Sequence, residues 1–181
     1  MKKHILLITT AIFLSYILVA QNFLPTDDGS EIKFTIKNLG LNVSGNFKGL
    51  KGNMVFDKAN LSMSSFNVSV EVATINTGIE ARNNHLKKEE YFDVAKYPEI
   101  SFVSKKISNS TKEGELFLEG DITIKGVAKS ISFPFTATAK GNDYLFEGEF
   151  MLNRRDFGVG GSSLIMADNL TVSLSVVGKE K

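Results

Sequence analysis

The chain of 181 residues has no cysteine, no tryptophan and only two histidines. The missing cysteines exclude disulfides, thiolate metal sites and a lipidated N-terminal cysteine. Zinc usually takes at least three protein ligands. With His85 the single histidine beyond the N-terminal leader, the others would all have to be carboxylates. An excess of either charge is lacking too: 21 basic residues face 20 acidic ones, and setting aside Lys2 and Lys3 leaves 19 against 20. That balance gives no electrostatic case for nucleic acid as a partner. No serine sits in a G-x-S-x-G elbow, and no glycine-rich stretch ends in the Gly-Lys-Ser/Thr of a phosphate loop. What the chain has instead is phenylalanine, 14 in all, with only Phe13 inside the leader. Such an aromatic load is greasy rather than hydrogen-bonding and suits a large apolar interior.

The N-terminus, "MKKHILLITTAIFLSYILVAQNF", joins two lysines to an apolar run from Ile5 and a small residue, Ala20, before Gln21. These are the marks of a secretory signal peptide, which predicts residues 1–20 as a leader cleaved after Ala20 and a periplasmic or secreted product. A spanning helix wants about 20 apolar residues, and Thr9, Thr10, Ser15 and Tyr16 dilute this run, so no stable membrane anchor is expected after cleavage. Residues 21–181 amount to one domain, large enough to bury roughly 70% of its unfolded surface without staples.

The dominant period beyond the leader is two. "EIKFTIKNL" places Ile32, Phe34 and Ile36 on one side, and "SFNVSVEVATI" does the same with Phe66, Val68, Val70 and Val72. Alternation of this kind is the pattern of a strand with one buried face. Later runs repeat it in "EISFVSKKI", "GELFLEGDITI", "SISFPFTATA", "YLFEGEFML" and "NLTVSLSVV". Roughly eight or nine strands at hairpin spacing predict an all-β barrel or sandwich of antiparallel strands. Pro134, inside one of these runs, belongs at an edge or a bulge. An eight-stranded interior can be filled by side chains or hold one elongated ligand. For a generic barrel the filled core is the expectation.

One stretch interrupts the pattern, "TGIEARNNHLKKEEYFDVAKYPEISF", Thr77 to Phe102. Thr77 followed three residues later by Glu80 reads as a capping box opening a short helix near residues 78–90. Ile79 and Leu86 lie on one of its faces, and Lys87 and Lys88 suit its C-terminal end. His85 and Glu89 are spaced i and i+4, but without companions they make neither a metal site nor a triad, and no catalytic residue is assigned. Arg82, one turn before His85, carries a planar fork suited to phosphate or carboxylate. A structural ion pair with a carboxylate such as Asp156 is the alternative. "FGVGGSS", Phe157 to Ser163, reads as a flexible loop at a barrel mouth.

Three blocks together resemble the YceI-like family of exported proteins: "INTG", "ARNNHLKKEEYFDVAKYPEISF" and "GDITIKGVAKSISFPF". Gly45, Phe47, Gly52 and Phe56 fit as well, as does Asp156-Phe157-Gly158. The resemblance runs over essentially the whole chain beyond the leader. It implies an extended lipocalin-like barrel of eight antiparallel strands with one inserted helix. It also implies a non-enzymatic role, holding a polyisoprenoid or another long-chain amphiphilic lipid inside the barrel, with no cofactor. Where relatives often carry histidine before the first Leu-Gly, this chain has Asn38, and where many carry an acid after the arginine, it has Asn83. From the buried parity of each strand, the expected apolar lining is Phe34, Ile36, Phe56, Val70, Phe102, Phe135 and Phe146, with Arg82 and His85 at the lip. Pairing of two barrels is left open.

Overall fold

The computed structural model describes residues 20–181, so the leader expectation falls almost wholly outside the described residues. Eight strands follow in chain order: β1 (Gln21–Asn38), β2 (Leu41–Phe56), β3 (Ser65–Asn76), β4 (Glu99–Asn109), β5 (Leu116–Ile124), β6 (Val127–Lys140), β7 (Asp143–Asn153) and β8 (Met166–Glu180). Each is antiparallel to its neighbours, and β8 returns to β1 to close the barrel. Of the barrel and the sandwich, the alternating pattern thus builds the barrel. The β1–β2 turn explains itself locally. Leu39 and Gly40 both have positive φ, 51° and 76°, the geometry of a tight two-residue hairpin whose twist matches the strands, and glycine supplies one of them without strain.

Both termini of the barrel and the β2–β3, β4–β5 and β6–β7 connections lie at one end, the floor. The β1–β2 turn, the β3–β4 segment, the β5–β6 turn and the β7–β8 loop lie at the other, the mouth. The floor is packed solid with aromatic rings. Phe56 and Phe146 meet edge to face at 5.3 Å, Phe66 and Phe146 at 5.1 Å, and Phe23 and Tyr144 at 5.4 Å. Each such pair contributes about 0.5–1.5 kcal/mol beyond the area it buries.

Glycines that share the inner face leave room for rings from neighbouring strands. Gly45 is the register partner of Phe34, and a Cβ there would lie 2.5 Å from the end of that ring. At Gly120 a Cβ would lie 2.4 Å from Phe102 Cζ and 2.5 Å from the Val103 carbonyl oxygen. The second clash involves backbone, which cannot swing away.

Pro134 sits where the β6–β7 ladder begins. The two strands are in register from Phe135↔Gly148 to Lys140↔Asp143, and among the described residues β6 has no β7 partner above Phe135. A residue without an N–H is tolerated where one side of a strand is unpaired. The open seam above is closed by side chains, with the rings of Phe133 and Phe150 4.6 Å apart.

The inserted helix, α1 (Glu80–Leu86), is shorter than expected, and the capping box does not form. Ile79 occupies the N-cap position without a side-chain hydrogen bond, because Thr77 is turned inward and bonded elsewhere. The chain then runs to β4 as successive turns, including one at Asp93 with φ 50°. Glu89 falls beyond the helix, so the expected i, i+4 face with His85 does not exist.

Gly120→Ala is expected to lower stability by about 1–3 kcal/mol through overpacking against Phe102 and the Val103 carbonyl. Gly161→Ala, where an added Cβ meets nothing within 4 Å, is expected to stay within about 0.5 kcal/mol. Urea unfolding of the two variants beside the parent checks both.

Candidate ligand cavity

Above the aromatic floor the barrel is hollow, with a cavity of about 260 Å³. A single water needs roughly 10–15 Å³, so this is no packing defect. The filled interior expected of a generic barrel is therefore not what the chain builds. On β5 the lining runs from Leu118 to Ile124, which is about 20 Å along the strand and, at the ~40° tilt of closed barrels, about 15 Å along the axis. The lining is overwhelmingly apolar.

Of the expected lining residues, Phe34, Ile36, Val70, Phe102, Phe135 and Phe146 do face the cavity. Phe56 does not: it is 2% exposed and packs in the floor against Phe66, Tyr144 and Phe146. Its parity is inward as expected, but it stands at the end of β2, where the rings of Phe23 and Tyr144 close the tube. The expected lining names no residue of β8, yet that strand contributes as many as any other. Leu170, Val172, Leu174 and Val176 of β8 all face the cavity, and their strict alternation in "NLTVSLSVV" was signal enough to find them.

Polar groups gather at the mouth. Arg82 faces the cavity and is half-buried, and its Nε and Nη2 donate to Thr77 Oγ1 and the Thr77 carbonyl at 2.8 and 2.7 Å. Thr77 in turn donates from its backbone N–H and its hydroxyl to Asn83 Oδ1, at 2.8 and 2.6 Å. Asn83 thus fixes Thr77, and Thr77 fixes the guanidinium. The alternative ion pair with Asp156 does not form, and among the described residues no carboxylate pairs with Arg82. Asn38 also reaches the lining, its Oδ1 buried and without a hydrogen-bond partner. His85 is exposed and lies outside the lining, its ring tilted against Tyr91 at 4.9 Å, while Tyr91 itself faces the cavity.

The glycine-rich stretch is not a free loop but a packed cover. Phe157 and Val159 are buried among Ile122, Ile124 and Leu152. Arg154, only 4% exposed, clamps it by donating to the carbonyls of Val159, Gly161 and Ala167 and to Asp168 Oδ1 at 2.6 Å. A buried guanidinium with three carbonyls and a carboxylate is fully compensated, unlike Arg82. No pattern in the sequence separates Arg154 from its neighbour Arg155, because only the turn after β7 decides which one points inward. Lys125 completes the cover, donating from Nζ to the carbonyls of Glu89 and Gly158 at 2.7 and 2.9 Å and so tying the β3–β4 segment to the loop.

Two carboxyls away from the cavity have lowered pKa values. Lys105 and Ser130 hold the Asp121 carboxyl below the usual carboxylate range, and Lys179 and the Glu180 N–H do the same for Asp143. Each contribution to stability is present above the ordinary carboxylate pKa and fades as pH falls through the lowered one.

A closed antiparallel barrel, packed at one end and hollow and apolar above, is the architecture of a protein with room for an enclosed apolar ligand. The family model described as YceI-like domain matches residues 25–178, and the chain belongs to that family. It is 34% identical over 157 residues to a UPF0312 protein of Pseudomonas savastanoi pv. phaseolicola, covering 83% of this chain and 81% of that one. The crystal structure of Burkholderia cenocepacia BcnA superposes with a TM-score of 0.77 at 26% identity, covering 82% of this chain and 95% of that one. A polyisoprenoid binding domain from Saccharophagus degradans has the same fold, with a TM-score of 0.70 at 12% identity over 90% of this chain and all of that one.

Thr77→Val keeps the shape but leaves the Arg82 Nε–H unpaired and takes one of two donors from Asn83. Leaving a buried polar group unsatisfied costs about 1–3 kcal/mol. Thermal unfolding is expected to show that loss, with Thr77→Ser close to the parent.

Proposed function

We propose that this protein is an exported, non-enzymatic carrier that holds a polyisoprenoid or similar long-chain amphiphilic lipid in the barrel. The observation that carries the reading is the cavity itself, a long tube with an overwhelmingly apolar lining and with Asn38, Thr77 and Arg82 at its mouth. Each methylene of a tail buried there is worth about 0.8 kcal/mol, and nothing inside the tube competes for it with water. The tail enters first, with Phe66, Phe135 and Phe146 beneath it, and the head group stays at the mouth. Family membership and the polyisoprenoid-binding neighbour support the ligand class. The leader sequence supports export.

Arg82 is the group at the mouth that selects the head. Its charge has no carboxylate partner, and Thr77 holds its fork in place, so an anionic head such as a phosphate meets a preorganised donor. His85, displaced from the lining, is assigned to the outer lip beside Tyr91. The apolar contacts are assigned to Phe34, Ile36, Val70, Phe102, Phe135 and Phe146, and Phe56 supports the floor from below.

Protein purified from a membrane-rich host is expected to carry lipid, identified by solvent extraction and mass spectrometry, and native spectra at the bare polypeptide mass would overturn the reading. Val172→Trp, which fills the tube midway, is expected to lower lipid occupancy about tenfold or more by removing the space that tail methylenes occupy. Arg82→Ala is expected to weaken an isoprenyl phosphate by about tenfold while leaving a neutral isoprenol nearly unchanged, since hydrogen bonds to charged groups are worth about 1.5–3 kcal/mol. Equal losses for both lipids would make Arg82 purely structural.

A further inference from the structure

Large apolar side chains stand in water around the mouth of the cavity. Leu39 is 70% exposed, Leu41 72% and Ile165 53%, and Leu164 is fully exposed. They are not scattered. The Leu39 N–H donates to the Ile165 carbonyl at 2.8 Å, joining the β1–β2 turn to the β7–β8 loop. Asn38 is the register partner of Leu41 on one side and of Met166 on the other. The four side chains therefore form one apex, directly above two residues that line the cavity, Asn38 and Met166. Ile79, 53% exposed at the start of α1, lies at the same end. A contiguous exposed apolar patch on a water-soluble barrel marks an interaction surface.

We infer that this rim is a membrane-docking surface, through which the barrel seats its mouth on a lipid bilayer to take up or release its cargo. The inference rests on the lipid-binding reading above and adds where and how the lipid passes. Two features favour a bilayer over a protein partner. The rim stands directly over the mouth, so a tail leaving the bilayer would pass Asn38 into the apolar lining without crossing open water. And the rim segments, residues 37–42 and 161–167, contain one lysine, Lys37, and no carboxylate, which suits the anionic and zwitterionic heads of a lipid surface. The first acid beyond them, Asp168, is already engaged by Arg154. The geometry also permits a flat approach, since Gln21 and Glu180 emerge at the opposite end of the barrel.

Because the chain has no tryptophan, Leu164→Trp creates a single reporter. With vesicles of phosphatidylethanolamine and phosphatidylglycerol, its emission is expected to shift to the blue and to be quenched by brominated acyl chains; emission unchanged by vesicles overturns the inference. In flotation with the same vesicles, the parent is expected to rise with the lipid. The combined variant Leu39→Ser, Leu41→Ser, Leu164→Ser, Ile165→Ser is expected to lose about tenfold or more of that partition, as apolar area is withheld from the bilayer. Equal flotation of parent and variant overturns docking through this rim. So does a parent that ignores vesicles and sediments as a dimer which the variant dissociates, for the rim then covers a second copy. Binding of an apolar dye in vesicle-free buffer reports the cavity alone. It is expected to be the same in parent and variant, so its absence in the parent counts against the lipid-binding reading, whereas failed flotation with dye binding intact counts against the rim.

Discussion

The ladder between β1 and β8 is the constraint on which everything else rests. From Phe23↔Glu180 to Asn38↔Met166 it joins the first strand to the last and turns a meander into a tube. Closure removes the sheet edges and sets the girth by strand number, with eight strands leaving an interior that side chains can only just fill. Whether that interior is full or hollow then depends on how side-chain volume is distributed along the axis. At the floor the rings of Phe23, Phe56, Phe66, Tyr144 and Phe146 interlock edge to face and leave no space, whereas higher up the aliphatic residues of β8 face rings such as Phe34 and Phe102 across an open tube. The hollow is a consequence of that uneven distribution.

The same distribution explains what the sequence could and could not reveal. Period-two alternation is a property of each strand alone, so strand existence, inward parity and most of the lining, including Phe34, Ile36, Val70 and Phe102, were legible. Position along the tube axis is a property of register between strands, and alternation carries no information about it. Phe56 was misplaced for that reason: its face was right and its height was not. Arg154 was missed because burial there is decided by a 3₁₀ turn at Arg154–Phe157, where two adjacent arginines look alike. The capping box failed because Thr77 had a better use, and a four-residue motif cannot weigh a local cap against an inward network involving Arg82 and Asn83.

That network also gives Asn83 meaning. Asn83 replaces the acid that many relatives are expected to carry, yet it is no vacancy, because its amide oxygen accepts two hydrogen bonds from Thr77. As an amide it brings no negative charge. The guanidinium is held in place without a neutraliser from this side chain. Arg154, which also reaches the cavity lining, is compensated by Asp168 and serves the cover. Two arginines at one mouth thus divide the work by whether a carboxylate is within reach.

The seam between β6 and β7 makes the tube wall uneven in kind. Around most of the circumference, widening would break backbone hydrogen bonds arranged in a cooperative ladder. Above Phe135 it would only slide Phe133 across Phe150, and dispersion contacts between rings give way gradually where a ladder does not. In that seam, unlike the ladders beside it, the wall is held by ring packing. A ligand of the proposed class that is slightly too thick for the tube would be met there by rings that slide, with the ladders on either side left intact.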